Sequence, residues 1–137
     1  MTKTIATLAF GAAVVLAGPA FADKMKATLD GKSEVPANAS AGKGTADLDY
    51  DPASKKLSWK MTYSGLSGPA TAAHFHAGEA GKNGAVVVPI AGADKGAFEG
   101  SATLTDAQVS DLMAGRWYVN IHTAANKAGE IRGQMNK

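Results

Sequence analysis

The chain holds three histidines and no cysteine. Two of the histidines, His74 and His76, flank a single aromatic residue, Phe75. On a β-strand, residues i and i+2 project from the same face. Both imidazoles would therefore point the same way, about 7 Å apart along the strand, with Phe75 on the opposite face. The third, His122, closes a segment in which Trp117, Val119 and Ile121 form an apolar phase and Tyr118, Asn120 and His122 a polar one. A histidine pair on one strand plus a histidine from another is a workable metal site. Three imidazole nitrogens with one position left open suit Cu(II) or Zn(II), and the Irving–Williams order favours copper. With no thiol in the chain, thiolate metal sites, cysteine nucleophiles and disulfides are excluded together.

The segment that follows supplies possible supporting groups. Ile131, Gly133 and Met135 share one phase and Glu130, Arg132 and Gln134 the other. The loop Thr123–Gly129 ends in glycine, so the two segments most simply form a hairpin. Placing His122 opposite Glu130 brings Asn120 to Arg132 and Tyr118 to Gln134, all on the polar phase, as register demands. The expected result is a surface sheet face carrying His122, Asn120, Glu130 and Arg132 beside His74 and His76. On it Glu130 accepts the second ring N–H of His122 and fixes its tautomer, with Asn120 and Arg132 as further supporting groups. An arginine next to the metal would also draw in anions. Histidines at i and i+2 equally serve as ordinary polar surface, so a polar network without metal is the competing reading.

These groups need strands to hold them, and the chain is patterned for strands. Alternating segments run over Met25–Leu29, Ala46–Tyr50, Leu57–Tyr63, Ala70–His76, Ala85–Ile90, Ala97–Thr103, Arg116–His122 and Glu130–Met135, separated by turn signals such as Asp51-Pro52-Ala53-Ser54. The 16 glycines exceed the usual share of about 7% and punctuate the pattern at sandwich or barrel spacing. One helix interrupts it near residues 105–114. Thr105-x-x-Gln108 is a capping box, Val109, Leu112 and Met113 make an apolar stripe, and Gly115 is a stop. The expectation is an all-β antiparallel sandwich of about eight strands with one short helix.

The first 22 residues read differently. Lys3 precedes an uncharged apolar run, Ile5–Leu16, then Gly18-Pro19 and the A-x-A site Ala20-Phe21-Ala22. This is the pattern of a cleavable secretory signal, with a run too short for a comfortable membrane span. Residues 23–137 then form one mature domain, periplasmic or secreted, with no membrane span after cleavage. The net charge of +2 comes from 14 basic and 12 acidic residues with no dense basic run, which disfavours nucleic acid as a partner. Gly42-Lys43-Gly44-Thr45 lacks phosphate-loop spacing, and Gly65-Leu66-Ser67-Gly68 is not a nucleophile elbow. Asn38-Ala39-Ser40 is a formal glycosylation sequon of little meaning behind a bacterial-type leader. The methionines fall on apolar phases and read as packing rather than as soft copper ligands.

Two longer stretches carry a resemblance. Ala72-Ala73-His74-Phe75-His76-Ala77-Gly78-x-x-Gly81-x-Asn83-Gly84 with Val86–Val88 closely resembles the signature of the CHRD (chordin) domain. So does Tyr118-Val119-Asn120-Ile121-His122-Thr123 with Gly129-Glu130-Ile131-Arg132-Gly133-Gln134, and Glu34-Val35-Pro36 and Tyr63-Ser64-Gly65-Leu66 match earlier landmarks. The likeness covers roughly residues 25–135. It departs in two loops, where Ala37 and Asn126-Lys127-Ala128 stand where prolines are common. The resemblance implies an immunoglobulin-like β-sandwich in secreted proteins. In chordin, such domains accompany growth-factor binding. The arrangement is also similar in outline to Cu,Zn superoxide dismutase, whose copper is held by an H-x-H pair and further histidines. Only His74, His76 and His122 have counterparts in type, with no histidines for a zinc site or bridge and no cysteines. The combined expectation is a secreted or periplasmic protein binding copper, or alternatively zinc, through His74, His76 and His122, with no catalytic residue assigned. Two other readings stand beside it. One is a non-enzymatic module whose polar face and Gly78–Gly84 loop contact an extracytoplasmic protein or glycan. The other is a copper enzyme acting on superoxide, supported at residue level only by Arg132.

Overall fold

The computed structural model describes residues 22–137. The expected signal segment, residues 1–22, therefore lies outside the described residues except for Ala22. Eight antiparallel strands account for most of the remainder: β1 (Asp23–Asp30), β2 (Lys43–Asp51), β3 (Lys56–Ser64), β4 (Ala70–Ala77), β5 (Val86–Ile90), β6 (Ala97–Thr103), β7 (Trp117–Thr123) and β8 (Ile131–Gln134). One helix, α1 (Asp106–Met113), lies between β6 and β7. The strands match the eight alternating segments to within a few residues at their ends. The burial pattern of β2 is a strict alternation of exposed and buried residues, as a strand with one face on a core must show.

The strands form a single sheet in the order β5-β4-β7-β8-β1-β2-β3-β6. Its two halves are unequally joined. Within the halves the ladders are longer, with nine residue pairs between β2 and β3 and seven between β3 and β6 in one half, and seven between β4 and β7 in the other. Between β8 and β1 there is one pair, Asp30↔Arg132, with an isolated bridge at Lys26↔Asn136. The sheet folds over at this thin seam, and the two four-stranded halves pack face to face as a sandwich. Trp59 of β3 and Phe75 of β4 meet across the layer edge-to-face, with ring centroids 5.2 Å apart. Phe75 also lies 5.7 Å from Trp117 of β7. Among the described residues no helix is long and apolar enough to cross a membrane.

The helix starts where its capping box requires. The Thr105 hydroxyl accepts from the Gln108 backbone N–H at 3.2 Å, and Gln108 Oε1 accepts from the Thr105 N–H at 2.9 Å. Leu112 is its buried anchor, and Gly115, at φ 74°, ends the turn.

Phe75 is fully buried between the two histidines that flank it in sequence. Truncating it removes the aromatic link between the two halves. Phe75→Ala is expected to cost about 3–5 kcal/mol in urea denaturation, and Phe75→Leu distinctly less.

Candidate metal centre

The pairing of β4 with β7 sets the site. His74 lies opposite Asn120, His76 opposite Tyr118 and Ala72 opposite His122. With Phe75 pinned in the core, both β4 histidines must rise from the other face, where β7 presents Tyr118, Asn120 and His122. The β5 side contributes an irregularity. Phe75 pairs with Val88 but His76 with Val86, so Val87 is an extra residue beside His76.

The three imidazoles converge. One nitrogen from each of His74, His76 and His122 lies within 4.8 Å of the others. His74 Nδ1 is 3.1 Å from His122 Nε2. The opposite nitrogens of two rings are tied to main-chain carbonyls: His122 Nδ1 to Lys127 O at 2.8 Å and His76 Nδ1 to Gly84 O at 2.9 Å. A carbonyl can only accept, so each Nδ1 carries the proton and each Nε2 presents a lone pair to the cluster. This outer tie is the one metal-binding histidines use to hold tautomer and ring angle. His76 is buried, while His74 and His122 are partly exposed. Burial pulls both His74 and His76 below the ordinary imidazole range, and in His74 the neighbouring His122 and His76 add to the effect. Neutral imidazoles are what a cation needs.

Gly84 owes its identity to this arrangement. A side chain there would run into the Ala77 carbonyl, so only glycine brings the 84 carbonyl under the His76 ring.

The supporting groups differ from expectation. The polar face of β4, β7 and β8 is not a surface: Glu130 is 0%, Arg132 1% and Asn120 3% exposed. Loops cover it. Arg132 donates to Glu79 O at 3.1 Å, Lys82 O at 2.7 Å and Asn83 Oδ1 at 3.3 Å, and its guanidinium lies 3.4 Å over the Tyr118 ring centre. Tyr118 is stacked in turn against His76, with centroids 4.7 Å apart and planes 4° from parallel. Arg132 thus braces the ring that braces a histidine. Its hydrogen bonds run to the 79–83 loop and it is 1% exposed, so it is a buried brace of that loop and of Tyr118 rather than the surface cation expected beside the histidines.

Glu130 is likewise not the partner of His122; the Lys127 carbonyl is. The Glu130 carboxylate accepts from the Ser40 hydroxyl at 2.8 Å, the Ser67 backbone N–H at 2.9 Å, the Thr123 hydroxyl at 2.8 Å and Asn126 Nδ2 at 3.1 Å, and also from the Ser67 hydroxyl. It is a tie-point for three loops. Burial alone would raise its carboxyl, but the hydrogen bonds from Ser67, Ser40 and Thr123 hold it down at about 2. The Asn38-Ala39-Ser40 sequon belongs to the same knot, with Asn38 Nδ2 donating to Glu130 O at 2.9 Å. Asn120 does sit at the histidines: its Oδ1 is 3.0 Å from His76 Nε2.

Sequence reasoning passed over Tyr118 as a histidine support and met Glu34 only as a landmark of the CHRD resemblance, with no role at the site. Glu34 is 5% exposed and lies against Asn120 and Gly129. Burial pushes its carboxyl up to about 7, against the pull of Arg132 and Asn120. The alternation of Tyr118 with the core residues of its strand was a visible signal. Glu34 lies in a loop, where no alternation points to its burial beside Asn120. A surface concavity of about 530 Å³ on the outer side of β2, β3 and β6 includes none of the histidines.

The CHRD domain model matches residues 25–135, a span that includes all three histidines, both loops that cover the polar face and every strand but the first residues of β1. No curated protein and no solved structure matches the chain.

The Glu130 knot has a pH signature. Its folded-state value lies below the ordinary 4.5, so its contribution is complete above pH 4.5 and is lost as pH falls toward 2. Chemical denaturation of the wild type between pH 6 and pH 2.5 should show this loss, on the order of 2 kcal/mol. In Glu130→Gln the protein should be less stable at pH 6 and show a correspondingly flatter dependence below pH 4.5.

Proposed function

This chain belongs to the CHRD domain family, and from that premise we propose that it is an extracytoplasmic protein that binds copper through His74, His76 and His122. One observation carries the reading. Three imidazole nitrogens converge within 4.8 Å, and two of the rings are held from behind by the Gly84 and Lys127 carbonyls. An incidental polar surface has no need of matched tautomers. Copper is preferred over zinc because an all-nitrogen set without geometric enforcement follows the Irving–Williams order. Zinc is the competing occupant.

The role is binding and handling rather than turnover. His74 and His122 are partly exposed, which lets an ion arrive and leave. Arg132 is buried and bonds the 79–83 loop, so it is not placed as a surface cation to draw an anionic substrate to the histidines. Residues 1–22 act as a cleaved signal that delivers residues 23–137 to the periplasm or the exterior.

Titration of the protein with Cu(II), followed by EPR, should give one equivalent bound with nitrogen hyperfine structure. His74→Ala and His122→Ala should each weaken binding by at least about 100-fold, since each removes a direct ligand. Binding unchanged in both variants, or no nitrogen coupling, would sink the proposal. Superoxide dismutation by the copper-loaded protein should not exceed that of the same amount of free copper. Intact mass of the protein recovered from the periplasmic or culture fraction should correspond to a chain beginning at Asp23; a mass that retains residues 1–22 would contradict the signal assignment.

A further inference from the structure

We propose that the side-chain oxygen of Asn120 is a fourth ligand of this centre, making it a three-nitrogen, one-oxygen site that prefers a divalent ion to Cu(I). The inference rests on the three-histidine reading and adds to it the atom that sets oxidation-state preference.

The first step is the orientation of the Asn120 amide. On one side it meets two acceptors. Nδ2 is 3.3 Å from Ala128 O, and the buried Glu34 Oε1, which has no hydrogen-bond partner of its own, lies against the same Gly129 Cα as Nδ2. A glycine is required at 129 because any side chain would collide with both groups, and its φ of 129° is one that L-residues rarely adopt. An amide placed between acceptors turns its NH2 toward them. Oδ1 is thereby directed at His76.

The second step is counting protons on His76. A neutral imidazole has one N–H, and that of His76 faces the Gly84 carbonyl at 2.9 Å. Its Nε2 therefore points a lone pair at Asn120 Oδ1, itself a lone-pair atom, 3.0 Å away. Two acceptors in contact at a buried position need a positive charge between them. One nitrogen from each of the other two histidines lies within 4.8 Å of a His76 nitrogen.

The third step is distance. Two donor atoms bound to one ion at about 2.1 Å and at right angles stand about 3.0 Å apart. That is the His76 Nε2 to Asn120 Oδ1 separation, and the His74 Nδ1 to His122 Nε2 separation is 3.1 Å. Both pairs are spaced as ligands sharing an ion.

The donor set then decides the ion. Oxygen is a hard donor, and the soft thioethers of Met25, Met61 and Met135 are buried in the core. Glu34 beside the amide nitrogen draws positive character toward Nδ2 and leaves Oδ1 more electron-rich, strengthening it as a ligand for Cu(II) or Zn(II).

The test begins with the wild type, so that it does not depend on a variant folding. The Cu(II) protein labelled with 13C at the asparagine side-chain carbonyls is measured by pulsed EPR. Couplings to three histidine nitrogens together with a resolved 13C coupling are expected. Three nitrogens without a 13C coupling overturn the Asn120 proposal alone and leave the gap to a proton on His76. No nitrogen coupling overturns the histidine centre as well. Affinities for Cu(II) and Cu(I) are then compared. Asn120→Ala should lower Cu(II) affinity by at least about tenfold relative to Cu(I), and Asn120→Asp, which keeps an oxygen in place, should restore or raise it. If Asn120 merely positions His76, Asn120→Ala changes the two affinities in parallel, and that outcome overturns the proposal.

Discussion

Everything at the histidine cluster depends on where Phe75 goes. Its ring is fully buried and wedged against Trp59 from one half of the sandwich and Trp117 from the other. A strand cannot turn one side chain inward without turning its neighbours outward. The apolar burial that closes the sandwich therefore also aims His74 and His76, and no separate device is needed to make them parallel. The seam between β8 and β1 is thin, with one ladder pair, so the aromatic contact across the layer also holds the two halves in relation. Stability and the aim of the β4 histidines are set by one contact, and all three histidines sit on strands rather than on loops.

The polar face above that core is an interior of a different kind. Arg132 and Glu130 are both fully buried, yet they do not pair with each other. Each is bonded instead by groups that hold loops in place: Arg132 by the 79–83 segment, Glu130 by Ser40, Ser67, Thr123 and Asn126. A buried charge that lacked these partners would cost several kcal/mol, so each charge effectively demands that its loop be in place. The loops are drawn down over the sheet, and Asn83 Nδ2 donating to Val35 O at 2.8 Å links two of them to each other. Ordering the loops orders the carbonyls of Gly84 and Lys127, and those carbonyls fix the protons of His76 and His122. The sequence of causes runs from buried charge to loop to imidazole.

Holding a histidine by a main-chain carbonyl rather than a carboxylate has a chemical consequence. The carbonyl fixes the tautomer while adding no negative charge, so the cluster gains order without gaining charge. Glu130, the one carboxylate on the hairpin that could have reached His122, is committed elsewhere. Glu34 lies beside Asn120, with its Oε1 and the amide Nδ2 both against Gly129. The cluster is thus a nearly neutral set of donors at the rim of a rigid sheet. Arg132 contributes by stacking on Tyr118, which itself stacks on His76, and not through its charge toward solvent.

The eight strands, the capped helix and the common face of the three histidines were all legible in the residue order. Alternation of period two and the Thr105–Gln108 capping box are local consequences of backbone geometry, readable over a few residues. The hairpin register was equally legible: Asn120 does face Arg132 and Tyr118 does face Gln134. What the residues could not express was how deeply that face is buried. Polar alternation looks the same whether water or a loop covers it, and the loops at 31–42 and 78–84 arrive from far along the chain. Glu130 therefore read as a partner of His122 and Arg132 as a surface cation, when both are interior anchors. The identity of the real histidine partners, two backbone carbonyls, has no side-chain signature at all. By itself the sequence determined which residues share a face, because that follows from bond geometry between neighbours. Only the tertiary structure decided which of them meet and what they are bonded to, because that depends on long-range closure of loops over buried charge.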